Sequence, residues 1–114
     1  MSSTSALSLQ ALALSLVFAP VAEEVVFRHG VQASLLQRVP QAWLANVLTA
    51  VLFACAHVLA QQRLQAWAVL LPALCMGWVY QRTGRLWLCV AVHAGMNAVW
   101  LLGGQSVWVS ITQV

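Results

Sequence analysis

The sequence predicts an all-α protein, a multi-pass transmembrane helix bundle of about four membrane helices with the first kinked at Pro20. Three observations predict it. Hydrophobic residues make up 62% of the chain and charged residues 6%, against about 45–50% and about 25% in an ordinary soluble domain. The apolar residues fall into four long stretches separated by short polar connections. Tryptophans sit near the ends of those stretches, as in an interfacial belt. With 114 residues, a soluble chain could not hide so much apolar surface, because small domains leave a large share of their area in water. Lipid is the expected solvent.

The first stretch runs from about Ala6 to Leu36, too long for a straight span of about 20 residues. Pro20 divides it, giving either one bent helix or a span followed by an oblique helix carrying Glu23 to Leu36. Arg38 and Pro40 end it. Met1 to Ser5 carry no positive charge and Pro20 fits a cleavage site badly, so the segment is expected as a retained helix and not a signal peptide. The second stretch covers about Trp43 to Ala60. The third covers about Ala66 to Tyr80 with Pro72 inside it. The fourth covers about Leu86 to Leu102 and stops at Gly103–Gly104. The connections Gln61–Gln65 and Gln81–Arg85 are short, so consecutive helices are expected as antiparallel neighbours. Trp43, Trp67 and Trp87 lie near helix starts, Trp78 and Trp100 near ends, and Trp108 beyond the last helix. The tail Gln105–Val114 is too short to span.

The net charge of +3 comes from five arginines with no lysine. They do not cluster with interleaved aromatics, so no nucleic-acid partner is expected. Arg38, Arg82 and Arg85 fall on one side of a four-helix path and Arg63 on the other. The positive-inside rule puts the first group in the cytoplasm and both termini outside. Cys55, Cys75 and Cys89 lie in apolar runs and are expected as small core residues, since an odd number gives no disulfide framework.

The only two acids are Glu23 and Glu24, adjacent and inside apolar sequence. A charge at mid-membrane costs roughly 2.5–3.5 kcal/mol on insertion scales, which makes such residues functional candidates. Arg28 lies one helical turn after Glu24 on the same face and can pair with it. Glu23 points about 100° away and is left without that partner, so the two carboxylates can take different roles, one of them a general base. His57 follows Phe53 by one turn in the second stretch. His93 and Asn97 share a face of the fourth. Lipid cannot satisfy these polar groups, so they are expected to face one another. His29 points elsewhere and is expected to be structural or interfacial. Two histidines and a glutamate (Glu23, His57 and His93) could alternatively bind zinc, although no HExxH arrangement is present.

At this point the motifs resemble a known family. The segment Ala19-Pro20-Val21-Ala22-Glu23-Glu24-Val25-Val26-Phe27-Arg28 is similar to the EExxxR motif of the CAAX prenyl protease and bacteriocin-processing family (CPBP, Abi or type II CAAX endopeptidases). Phe53 to His57 resembles its FxxxH motif, and His93 to Asn97 its HxxxN motif. Gly77 to Trp87 is similar to the connection before the third motif. The chain is thus expected to be one intramembrane protease domain over residues 1–114, with a motif core over about 18–103. It departs from the family in placing His29 before Gly30, where a glycine usually follows the arginine. Members generally have additional helices, and this chain is close to the shared core, which leaves room for a partner subunit or oligomer.

The resemblance implies an intramembrane endopeptidase of glutamic type with no cofactor. It implies Glu23 as general base, His57 holding the attacking water, and His93 with Asn97 stabilising the oxyanion. Glu24, Arg28 and Phe53 would support them. The implied substrate is a membrane-associated protein or peptide. The expected location is the lipid bilayer, as an integral protein of a bacterial inner (plasma) membrane. Two other classes stay open: a non-catalytic membrane immunity or scaffold protein, and a Glu/His proton or ion relay.

Overall fold

The computed structural model describes residues 8–104, and among these there are helices and turns but no strand. Helix α1 covers Leu9–Leu36, α2 covers Ala42–Gln61, α3 covers Leu70–Thr83 and α4 covers Leu86–Val99. A 3₁₀ segment, Leu64–Val69, leads into α3, and a wider turn, Trp100–Gly104, prolongs α4. Trp108 and the tail 105–114 lie outside the described residues, as do residues 1–7.

Each boundary has a local cause. Ser8 caps α1, its Oγ accepting from the Ala11 amide at 3.2 Å. Pro40 follows the final turn of α1 and prevents its continuation. Helix α2 ends on Gln62, a left-handed residue at φ 53° whose amide donates to Val58 O at 2.7 Å. Gly84, at φ 65°, closes α3 in the same way, its amide on Tyr80 O at 2.7 Å. Pro72 falls in the first turn of α3, near the helix start, where proline is best tolerated.

The first stretch is one continuous helix, but its winding changes along its length. Leu14–Phe18 and Val25–Gln32 are π-wound, with the α-helical piece Ala19–Glu24 between them. Such wide turns concentrate at functional positions, and here they bracket the glutamates.

Three helices are long and apolar enough to cross a membrane: Leu9–Leu36, Ala42–Gln61 and Leu86–Gly103. The third apolar stretch, expected as a span, instead splits into the 3₁₀ segment and the shorter α3. Pro72 explains the split, because it starts a helix more readily than it sits inside one. Helix α3 packs between α2 and α4, and α1 lies against all three.

The inter-helix seam is built from small residues. Ala45, Ala50 and Ala54 of α2 and Ala73 of α3 are fully buried, as is Cys89 of α4, and Ala50 packs with Phe53 and Ala73 in one cluster. Small side chains let membrane helices approach closely where lipid supplies no hydrophobic drive. The closest approach is at Gly77, where a Cβ would collide with Asn46 Oδ1. Large apolar residues such as Phe18, Leu52, Leu71 and Val99 face outward, as do the five described tryptophans. The cysteine expectation needs correction. All three are free, but Cys89 alone is buried, Cys55 is half-buried and Cys75 is exposed on the outer face of α3.

Candidate active site

Glu24, Arg28 and Gln32 recur at four-residue intervals along α1, and all three are fully buried. Arg28 Nε donates to Glu24 Oε1 at 2.8 Å, Nη1 to Gln32 Oε1 at 3.0 Å, and Nη2 to Ala73 O at 3.1 Å. Gln32 Nε2 donates to Gly77 O at 3.0 Å. A buried guanidinium is thereby satisfied by one charge and two neutral acceptors, the condition for tolerating it inside. This row also fastens α1 to the backbone of α3. Asn46 of α2 adds a bond to Leu74 O at 3.0 Å.

The other oxygen of Glu24 turns toward α4. His93 Nδ1 donates to Glu24 Oε2 at 2.7 Å, while His93 Nε2 lies 3.2 Å from Glu23 Oε1. One imidazole thus bridges both carboxylates. Glu23 lacks the Arg28 partner, as the spacing on α1 suggested, and meets His93 instead. Its partner stands 70 residues away (93 − 23) on another helix, where periodicity cannot see it. The Glu23–His93 contact holds a proton between its two atoms, since two lone pairs at that distance would repel.

His57 completes the group from α2. Its Nδ1 lies 2.8 Å from Phe53 O. A carbonyl oxygen only accepts, so Nδ1 carries a hydrogen, and in the neutral tautomer that this bond selects, Nε2 is the acceptor. That Nε2 is 3.7 Å from Glu23 Oε1. Two acceptors so placed do not bond to each other, but both can accept from one water between them. Phe53 is the wedge that fixes these rings. Its centroid is 4.3 Å from that of His57, 6.0 Å from that of His93 and 5.0 Å from that of Phe27, and Arg28 Cζ lies 5.9 Å away.

Asn97 is less simply placed. Its Nδ2 donates to Ser15 O at 2.7 Å. That acceptor is free for a local reason. In the π-wound turn before Pro20, the Ala19 amide bonds Leu14 O. The next carbonyl in that register, Ser15 O, would take an amide from residue 20, and proline has none. Asn97 fills the gap and ties α4 to α1, as neighbouring helices do for freed carbonyls in membranes. One of its two amide hydrogens is so committed, and the side chain still lines the cavity.

The cavity has a volume of about 490 Å³, within the range of small-ligand sites. Glu23, His57, His93 and Asn97 all line it, and it extends to Gln61, Arg63 and Gln65 in the α2–α3 connection. Glu23 is about a third exposed to it, whereas Glu24 is sealed. His29 is exposed on the outer face of α1 and joins none of this. Among the described residues, no group of three or more His, Cys, Asp and Glu side chains is disposed to hold a metal ion. The alternative zinc set of Glu23, His57 and His93 lines one wall of the cavity, with His57 Nε2 and His93 Nε2 at 3.7 and 3.2 Å from Glu23 Oε1.

Sequence reasoning missed Gln32, Asn46, Gly77 and Ser15. Gln32 was within reach, since it continues the Glu24–Arg28 spacing by one more turn. Asn46 was within reach too, as a polar side chain in an apolar run that donates to Leu74 O; Ser15 and Gly77 act through a backbone carbonyl or close approach, which no residue type announces.

One carboxylate and two imidazoles line a cavity among helices apolar enough to cross a membrane, with a second, sealed carboxylate behind them, and the class so defined is that of integral membrane proteins with an ionisable cluster inside the bundle. The model of the type II CAAX prenyl endopeptidase Rce1-like family matches residues 5–99, and the chain belongs to that family. Members act on membrane-associated protein substrates. Comparisons with curated proteins and with solved structures returned no match.

Proposed function

We propose that the protein is an intramembrane endopeptidase that cleaves a membrane-associated protein or peptide by glutamate-activated water, in a bacterial plasma membrane. The observation that carries this reading is the pair of acceptors, Glu23 Oε1 and His57 Nε2, set 3.7 Å apart on the cavity wall. A water bridging them gives one hydrogen to each and keeps a lone pair for a substrate carbonyl. On attack, the water's proton passes to Glu23, a C–O bond forms, and the carbonyl π electrons move to oxygen. His93 Nε2–H and the second amide hydrogen of Asn97 support that oxyanion, a contribution of roughly 2.7–4 kcal/mol per donor in a dry site. The C–N bond then breaks as Glu23 returns the proton to the leaving nitrogen. Glu24, held by Arg28, keeps the His93 ring oriented. Phe53 keeps the two imidazoles in place.

A proton relay would use the same Glu23–His93–Glu24 row, but the row ends on Arg28, which does not release a proton. The test is cleavage of a lipid-anchored peptide by the protein in proteoliposomes. Glu23→Gln and His57→Ala are expected to lower turnover by roughly 10²–10⁴-fold while the proteins stay folded. Cleavage is expected to persist in a chelator. Turnover by Glu23→Gln at the wild-type rate refutes the proposal, and loss in chelator with recovery on zinc replaces it with a metal mechanism.

A further inference from the structure

A second groove, of about 400 Å³, lies between the C-terminal half of α1 and the middle of α2. Among the described residues it shares no lining side chain with the cavity of Glu23. Val26, Gly30, Ser34 and Arg38 recur every four residues along one wall, from α1 into the turn that follows it, and all are exposed. Leu35 lies beside them and Leu52 comes from α2. This row belongs to the same stretch of helix as the buried Glu24, Arg28 and Gln32, but it faces outward. Gly30 leaves the groove open, since a Cβ there would meet only the Val25 carbonyl oxygen, at 3.8 Å.

Twelve residues separate Val26 from Arg38, at most about 18 Å of helical rise. One leaflet of a hydrocarbon core about 30 Å thick is about 15 Å deep. Arg38 stands in the polar turn after α1, its amide bonded to Leu35 O at 3.0 Å. The exposed Trp43 begins α2 five residues later, as an aromatic at headgroup level does. The groove thus runs from mid-membrane to the membrane surface and has its one charge at the surface end.

That charge is uncompensated. Among the described residues no hydrogen bond or ion pair reaches the Arg38 guanidinium. The chain's only acids, Glu23 and Glu24, lie at or behind the other cavity. A guanidinium above an apolar groove complements a phosphate above an acyl chain, and its planar fork suits phosphate oxygens. A zwitterionic headgroup would add an ammonium that finds no acid on this face. A second copy of the chain fits less well, because an isologous contact through this face would bring both Arg38 residues to one end with no acid to offset them.

We propose that this groove binds an anionic phospholipid of the surrounding leaflet, with one acyl chain over Gly30 and Ser34 and the phosphate on Arg38. The lipid braces the outer side of the helix whose inner side carries Glu24, Arg28 and Gln32. It binds whether or not the protein hydrolyses peptides.

The experiment titrates the full chain, in neutral detergent, with phosphatidylglycerol and phosphatidylcholine of identical acyl chains, and counts bound lipid by native mass spectrometry. The wild type is expected to hold one phosphatidylglycerol about tenfold more tightly than phosphatidylcholine, the scale of one charge-assisted contact at an exposed site. Arg38→Gln brings that ratio to about one, and Arg38→Lys keeps part of it. Arg85→Gln removes the same charge from another exposed position and leaves the ratio near the wild-type value. Gly30→Leu fills the groove and weakens both lipids by a similar factor. Inorganic phosphate alone does not displace the lipid. Equal affinities for the two lipids in the wild type, a comparison that needs no variant, overturn the proposal. So does an Arg85→Gln variant that loses the preference as fully as Arg38→Gln, which is the behaviour of a diffuse basic surface. Displacement by inorganic phosphate alone refutes the acyl-chain contact and the proposal with it. A lipid-free dimer that Gly30→Leu dissociates assigns the face to a second copy instead.

Discussion

Replacing Arg28 with leucine tests the buried row directly. The guanidinium makes three hydrogen bonds, at 2.8 Å to a carboxylate and at 3.0 and 3.1 Å to neutral oxygens. Leucine fills much of the stem volume but leaves the sealed Glu24 carboxylate with His93 alone. Breaking a buried pair by removing one partner costs about 3–5 kcal/mol. A chain of this length is expected to have about 6–17 kcal/mol of total stability at 0.05–0.15 kcal/mol per residue, so the loss is a large fraction of it. The discriminating variant is the double substitution Arg28→Leu with Glu24→Gln. It removes the stranded charge as well, and should be more stable than the sum of the single effects by about 0.5–3 kcal/mol. The assay is denaturant titration in detergent micelles, followed by tryptophan fluorescence and circular dichroism. A cost below about 1 kcal/mol for Arg28→Leu, or strict additivity in the double variant, would show that the ion pair is not what makes the buried carboxylate tolerable.

Three further outcomes are expected in the same titration. Gly77→Ala drives a Cβ into Asn46 Oδ1 and to 3.2 Å from Arg28 Nη1, and should cost about 1–3 kcal/mol as overpacking; a neutral effect would mean that α2 and α3 can separate freely. Gly84→Ala meets nothing within 4 Å but sits at φ 65°, so its cost should be the left-handed backbone term alone, about 1–2 kcal/mol. Pro20→Ala restores an amide that can bond Ser15 O, so Asn97→Ala should be less costly in that background than in the wild type, by about 1 kcal/mol. Equal costs in both backgrounds would show that proline does not free the carbonyl.

The helices were legible because the signals that make them are local. Apolar runs, Pro40, the polar connection after Gln61 and Gly84 placed the boundaries of α1, α2 and α4 within a few residues. The start of α3 was less legible, since Pro72 reads equally as a kink within a span or as the first turn of a shorter helix. At the site, the Glu24–Arg28 pair could be read from its i, i+4 spacing, and the grouping of Glu23, His57, His93 and Asn97 from the need of polar groups to avoid lipid. Which oxygen meets which nitrogen could not be read. His93 reaching both carboxylates depends on the rotation of α4 against α1, which is set by packing at positions such as Cys89 and Ala73 and carries no periodic mark. Arg38 and Arg63 stand between apolar runs like any loop arginines of a membrane protein, and only the cavities beside them distinguish them.

Pro20 shows how a backbone defect can contribute to a site. A proline in a membrane helix strands a carbonyl, and lipid cannot satisfy it. The bundle answers with Asn97, whose amide reaches Ser15 O across the α1–α4 contact. That bond holds α4 in register against α1 four residues from His93, close to one turn, and so helps fix the ring that spans Glu23 and Glu24. Sequence motifs present Asn97 as a partner of His93 on one helix face. The structure adds that the proline preceding the glutamates on another helix leaves the Ser15 carbonyl free to accept from Asn97. The proline, the asparagine and the histidine are therefore coupled through one hydrogen bond and one helical turn. A substitution at Pro20 should consequently disturb the site through α4, although Pro20 itself touches none of the proposed reacting atoms.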